Sequence, residues 1–229
     1  MKTTYGIAGN GRASTHLQAY FRLLKVPYEL WHRRSGPEPG KALGGCSTVF
    51  ILLSDAAIAP FIAANPFLKE KTLIHFSGSL NIEGAFSLHP FRPLCAGTLS
   101  LEEYRRLPFA LDGGIPLKKL VPEFRNPVFH INKEDKQLYH ALCALGANLP
   151  VLLWRKAMKD LGGKFGIPRE QVQRFFQASL DNFEEDPARA LSGPLSRRDA
   201  RTVNSDIKAL GKDPFAEIYS VFAKTYENN

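Results

Sequence analysis

The 229-residue chain carries 30 Lys and Arg against 22 Asp and Glu, a formal net charge of +8, and 44% of its residues are hydrophobic. With no charge block or low-complexity tract this composition excludes a disordered chain, and the lack of an apolar run of about 18 residues excludes a helical membrane span. Three scattered cysteines (Cys46, Cys95, Cys143) and six dispersed histidines exclude a disulfide framework and the usual metal-ligand spacings, so no metal is expected.

The basic residues are spread along the chain without a nucleic-acid motif. A small-molecule partner is therefore expected, with no nucleic acid, no membrane and a cytoplasmic location.

Thr3 to Ala8 is short, apolar-leaning and β-compatible, and Ser14 to Leu24 places Leu17, Tyr20, Phe21 and Leu24 at helical spacing. Between them lies the stretch GIAGNGRAS, Gly6 to Ser14. Strand, glycine turn and helix in that order suit a dinucleotide: Gly9 permits the tight turn, Gly11 lets backbone approach a pyrophosphate, and the helix start supplies amides and dipole. Gly9, Asn10, Gly11 and Arg12 are the candidate phosphate contacts, and Ser14 takes the place where Gly or Ala is usual. The alternative is an empty strand-to-helix turn.

Tyr28 to Trp31 reads as the second strand, followed by His32-Arg33-Arg34-Ser35 where an NAD enzyme carries an acid for the ribose hydroxyls. Cations in place of the acid suit a 2′-phosphate, so Arg33, Arg34 and Ser35 point to NADP(H), the alternative being a basic surface turn. Ser47 to Leu53 is continuously apolar, as buried parallel strands are, and Leu73 to Phe76 repeats the pattern. Ligands of open α/β sheets sit at the carboxyl ends of strands, which places Leu53, Ser54, Asp55, Ser77 and Gly78 beside the cofactor. Asp55 either caps the next helix or serves that site. His89, in Ser87-Leu88-His89-Pro90, is expected after a strand, as a turn residue fixed by Pro90 or as a proton donor.

From about Lys133 the texture turns helical, with Asn132 placed to cap the first helix. The expected organisation is an α/β N-terminal domain over 1–131 with a parallel sheet, followed by an all-α domain over 132–229. Tyr139 to Trp154 is mainly apolar, with His140, Ala144 and Asn148 recurring every four residues, and Pro150 should kink or end this helix near Asn148. His140 and Asn148 are thus a candidate cleft-facing pair, or an interior histidine and an unrelated amide. Leu142, Leu145, Leu149 and Leu153 spread over a wide arc, which predicts a homodimer through the helical domain. Arg169 to Asn182 reads as another helix, a break follows at Gly193-Pro194, and an Asp199-led helix restarts. Ser192, Arg198, Asp199 and Thr202 form either a polar wall for substrate or a plain helix corner.

The order of G-x-G-R, the basic end of the second strand, Ser-Asp after the third, then HFSGSL, SLHPF, LYHALCALGANL and ALSGPLSRRDARTV resembles proteins that pair a Rossmann-like domain with domain of unknown function 2520. That family lies in the 6-phosphogluconate dehydrogenase-like superfamily, near pyrroline-5-carboxylate reductase and ketopantoate reductase. This chain has Ser192 where the family usually has Thr before Gly-Pro, and Arg198 where it usually has Gly before Asp. The resemblance implies a Rossmann-like domain, a helical domain that dimerises, and NADP(H)-dependent reduction of a C=O or C=N bond in a small metabolite. His140 is then the expected general acid, imidazole being the side chain whose ordinary pKa lies near neutrality, with Asn148 orienting substrate and His89 the other candidate. A non-catalytic NADP(H)-binding sensor or interaction protein is the alternative function.

Overall fold

The computed structural model describes residues 4–34 and 36–227. Apolar runs too short for helices become strands, and amphipathic stretches between them become the covering helices. In chain order these are β1 (Tyr5–Ala8), α1 (Arg12–Leu24), β2 (Tyr28–Trp31), α2 (Pro39–Leu43), β3 (Thr48–Ile51), α3 (Asp55–Ala64), β4 (Thr72–His75), β5 (Ala85–Pro90), α4 (Leu101–Arg106), β6 (Phe109–Asp112), α5 (Leu117–Leu120) and β7 (Val128–Ile131). Helices α6 (Lys136–Cys143), α7 (Leu149–Phe165), α8 (Arg169–Glu185), α9 (Ala200–Leu210) and α10 (Phe215–Glu227) complete the chain.

The sheet runs in the order β2-β1-β3-β4-β5-β6-β7. The first five strands are mutually parallel, β6 turns antiparallel to β5, and β7 runs parallel to β6. This is a Rossmann-like α/β sheet followed by a helical region. Strand alternation assigns side chains to two cores: Tyr5, Ile7, Phe50 and Ile74 pack with α1 residues Leu17, Tyr20 and Phe21, while Ala8, Val49, Ile51 and Leu73 pack with Ile58 of α3. Because β2 and β3 lie on opposite sides of β1, the chain reverses direction across the sheet at β1, and Ala8, Ile51 and His75 stand in register at the carboxyl edge. That edge is where open α/β sheets bind ligands.

One compact unit runs to Pro150 and a second starts at Val151. In the first, the helix expected to kink or end near Asn148 does not end there. It passes into a π-helical segment, Ala144–Asn148, and then into α7, whose second residue is Pro150. Pro150 has no N–H and would crowd the Gly146 carbonyl in a regular α-turn, so the wider turn absorbs the mismatch without a break. In the second unit Trp154 stacks on Phe176, with ring centroids 6.0 Å apart, and Lys156 joins Asp160, 2.8 Å away, and Asp213. Gly166, at φ 67°, separates α7 from α8. Among the described residues, no helix is long and apolar enough to cross a membrane and no His, Cys, Asp and Glu group is arranged to hold a metal.

Candidate functional site

Gly9 and Gly11 are both glycine for different reasons. Gly9 adopts φ +128°, and a Cβ there would lie 2.2 Å from the Leu52 carbonyl oxygen, so the turn presses backbone against the end of β3. Its N–H donates to the Trp31 carbonyl at 2.8 Å, which ties the turn to β2 as well. Gly11 is the N-cap of α1 with an ordinary φ of −85°, and beyond the adjoining backbone no heavy atom lies within 4 Å of where its Cβ would be. The space that glycine leaves open sits over the helix start, where the first N–H groups lack intrahelical acceptors and the dipole favours an anion. Ser14 is fully buried; its Oγ donates to the Gly9 carbonyl at 2.7 Å and accepts from Gln18 Nε2 at 3.0 Å. A hydroxyl therefore serves in the third small-residue position by bracing the turn. Asn10 and Arg12 are exposed beside it.

The other cofactor candidates gather on the same edge. Arg33 and Arg34 follow β2, both exposed, and no ion pair among the described residues engages either. The Arg34 N–H donates to His32 Nδ1 at 3.2 Å. Ser35 lies outside the described residues. Ser54 occupies the N-cap of α3 without a side-chain cap bond, and Asp55 is the first residue of that helix. The Asp55 carboxylate accepts from Ser77 Oγ at 2.9 Å and Ser79 Oγ at 3.2 Å. It thus ties the loop after β4 to α3, a role neither sequence alternative named. Ser77 Oγ accepts in turn from the N–H groups of Ser79 and Leu80, at 3.3 and 3.2 Å, and Ser87 Oγ donates to the Ser77 carbonyl at 2.7 Å.

Next to this loop a cavity of about 610 Å³ opens, its walls made by Pro90, Phe91, Phe129, Leu142 and Ala147 and its polar groups by His89, Arg92, Tyr139, His140, Cys143 and Asn148. His140 and Asn148 do line one cavity together. His89 does not follow a strand; it lies within β5, paired with Ala110 of β6. Pro90 is tolerated because it is the last residue of β5, past the point where β4 pairing has ended at Ser87. The His89 and His140 rings stand with centroids 6.2 Å apart on either side of Gly78, where an added Cβ would come within 3.0 Å of both. His89 Nδ1 is 2.7 Å from the Tyr139 hydroxyl. Burial, followed by the positive fields of His140 and Lys136, pulls the His89 imidazole down to about 4.

Beneath the cavity floor Lys136 and Asp112 form a buried pair, Nζ to Oδ2 3.3 Å, and Lys136 also donates to the Leu80 carbonyl. Asp112 Oδ1 accepts from the Ser87 N–H at 2.8 Å. The pair therefore fastens α6 to β5, β6 and the loop before β5. Burial lowers the Lys136 ammonium pKa and Asp112 opposes that shift. His75, fully buried at the end of β4, accepts the Ser77 N–H on Nδ1 at 3.2 Å, and its Nε2 has no partner among the described residues. Burial, and then Lys136, pulls it down to about 4.

The residues expected as a polar wall lie in the second unit. Asp199 caps α9, accepting from the Thr202 N–H at 3.1 Å and Thr202 Oγ1 at 2.7 Å, bonds that hold its carboxyl below the usual range. Ser192 is exposed, and Arg198 adopts a left-handed φ of 54°. The place where the family usually has glycine is thus a position that favours glycine, occupied here by arginine at a local cost on the order of 1–2 kcal/mol. Asn132 stands before a short 3₁₀ turn, and its side chain donates to Asp135 at 3.2 Å rather than accepting from the helix backbone.

Tyr139, Lys136 and Asp112 join the candidate site only in the structure. A signal existed for Lys136, which precedes His140 by four residues and so shares its helix face.

Residues 115–226 match the family model of a domain of unknown function, DUF2520, the family that the motifs resemble. Among solved structures, a Bacteroides fragilis protein provisionally assigned as an NADP oxidoreductase shares 16% identity over 99% of this chain and 98% of its own, with a TM-score of 0.81. An imine reductase from Streptomyces aurantiacus shares 13% over 99% and 94%, TM-score 0.67. A Plasmodium falciparum pyrroline carboxylate reductase, solved with NADP bound, shares 13% over 98% and 99%, TM-score 0.59. At these identities the likeness is one of fold. No curated protein matches the chain by sequence.

Proposed function

From the premise of a Rossmann-like sheet joined to a region matching DUF2520, we propose that this chain is an NADPH-dependent oxidoreductase acting on a C=O or C=N bond of a small metabolite. One observation carries the reading. The strand edge that presents Gly9, Gly11 and Asp55 continues, through the loop Asp55 fastens, into Gly78, against which two histidines of an apolar cavity are packed. The fold neighbours named as an NADP oxidoreductase, an NADP-bound pyrroline carboxylate reductase and an imine reductase support the same class.

The residues fit the cofactor. The open space at Gly11 over the α1 N-terminus admits a pyrophosphate, and the exposed Arg33 and Arg34 suit the 2′-phosphate that distinguishes NADP from NAD. When bound, the dinucleotide supplies hydride. The chain's own task is to orient the acceptor and supply a proton. His89, held neutral to about pH 4, is a poor acid at neutral pH, which leaves His140 as the proton donor. Asn148, on the cavity wall, offers an amide to position substrate. The exposed leucines Leu138, Leu142, Leu145 and Leu149 of the α6–α7 run support pairing of two chains.

A fluorescence titration with NADPH and NADH, followed by NADPH oxidation against a panel of ketones, aldehydes and cyclic imines, tests this reading. Preferential NADPH binding with turnover of a panel member is the expected result; absence of NADPH binding would overturn it.

A further inference from the structure

We infer that Tyr139 locks His89 in the tautomer that carries its proton on Nε2, so that His89 presents a fixed hydrogen-bond donor to the cavity and the site takes an uncharged carbonyl in preference to a protonated iminium. This deepens the reductase reading and rests on it for the word substrate, though the tautomer itself does not.

The geometry leaves little choice of proton placement. Two acceptors compete for the Tyr139 hydroxyl proton, His89 Nδ1, hydrogen-bonded at 2.7 Å, and the neighbouring Cys143 sulfur, whose influence raises the phenol pKa after burial. A thiol sulfur is a weak acceptor and an imidazole nitrogen a good one, so the phenol donates its proton to His89. Burial raises the Tyr139 pKa, followed by the Cys143 hydrogen bond, which keeps the phenol proton in place. The tyrosine ring is itself fixed, stacked near Phe91 at 6.3 Å and edge-on to Phe129 at 6.4 Å. With Nδ1 accepting, the neutral ring must carry hydrogen on Nε2, which makes no hydrogen bond among the described residues on a side chain that lines the cavity.

The ring stays neutral first because it is buried, and then because the charged groups facing it are predominantly cationic or unable to reach it as acceptors. His140 and Lys136 face it from α6, and both disfavour a second positive charge. Asp55 of α3 works weakly in the other direction, and Asp112 of β6, in the small cavity beneath, is already committed to Lys136 and the Ser87 N–H. Arg92, on the cavity wall, adds positive charge.

A fixed N–H discriminates by chemistry. Carbonyl oxygen accepts from it and gains negative charge as the double bond is reduced, so the bond strengthens where it matters. A protonated iminium offers only N–H at that position; donor meets donor, with one more positive charge brought among His140, Lys136 and Arg92.

The test reads the tautomer directly, on the full cofactor-free chain with ¹⁵N-labelled histidine, using His89→Gln to assign the ring. At pH 7 His89 should show a protonated Nε2 and an unprotonated Nδ1, with a titration midpoint near 4. Tyr139→Phe keeps the ring packing, and in it the tautomers should mix and the midpoint rise, because a bond to the neutral form is lost. Acetophenone should then shift the His89 Nε2–H resonance, while benzamidinium, planar and carrying C=NH₂⁺, should not. A wild-type ring protonated on Nδ1, or titrating near 6.5 as a free imidazole does, overturns the lock. Response to benzamidinium alone, or to neither probe, overturns the carbonyl preference. Failure of NADPH binding would remove the reductase reading and leave the tautomer result standing, so the two outcomes are separable.

Discussion

Exchanging the two glycines of the opening turn should separate folding from binding. In Gly9→Ala the new Cβ meets the Leu52 carbonyl oxygen at 2.2 Å, at φ +128°, so either strand ends move apart or the backbone leaves its conformation. A rigid backbone overlap joined to a disfavoured φ belongs to the costly class of substitutions, about 3 kcal/mol or more. In Gly11→Val the side chain enters space that holds no protein atom, at an N-cap that makes no side-chain bond. Its stability cost is limited to the capping preference, about 1 kcal/mol. Its effect on NADPH is larger: losing one or two charge-assisted bonds to phosphate, about 1.5–3 kcal/mol each, weakens binding by roughly 10²-fold or more. Stability is read by urea unfolding with Trp31 fluorescence in a Trp154→Phe background, and binding by NADPH titration of the folded variants. Unchanged NADPH affinity in Gly11→Val would refute the phosphate site, and a Gly9→Ala protein as stable as the parent would refute the close approach.

Three further outcomes are expected. Replacing Arg33 and Arg34 together by alanine should weaken NADPH binding by about 10²-fold while leaving NADH far less affected, and the salt sensitivity that separates the two cofactors in the parent should vanish with the arginines. With a carbonyl substrate in hand, His140→Gln should lower turnover by about 10²–10⁴-fold at nearly constant NADPH affinity, and unchanged turnover would pass the proton to water. Sedimentation at micromolar concentration should show a dimer, whose dissociation on Leu142→Glu with Leu145→Glu would locate the contact on the α6–α7 run; a parent monomer would refute pairing.

What the sequence showed best was whatever depends on local pattern. Tyr28–Trp31 emerges as a strand with the bounds read from its residues, and Asp199 leads its helix as a cap because both signals are contained within a few positions. His89 is expected after a strand, as a turn residue or a proton donor, because Pro90 dominates its local context, whereas its place within the strand is defined by pairing with β6, about twenty residues away. The continuity through Pro150 was equally hidden, since a π segment is a tertiary accommodation and carries no separate sequence signal. Nothing in the sequence around Lys136 sets it apart from a solvated lysine near a helix start. Its burial depends on Asp112, brought opposite by the antiparallel turn of β6, a strand whose direction no residue in it announces.

Gly78 shows how these two kinds of information meet. From the sequence it belongs to a loop at the carboxyl end of β4, and that alone recommends it for the cofactor edge. In the structure its missing Cβ is also what lets His89 from β5 and His140 from α6 approach the same point, with either ring 3.0 Å from where a methyl group would stand. The loop carrying it is held by Asp55 on one side and by Ser87 on the other, and Ser87 is bonded through its N–H to Asp112, the partner of Lys136 on the helix that bears His140. The carboxyl edge of the sheet and the histidine cavity therefore share one hydrogen-bonded frame. The packing of both rings depends on the backbone of a residue that contributes no side chain at all.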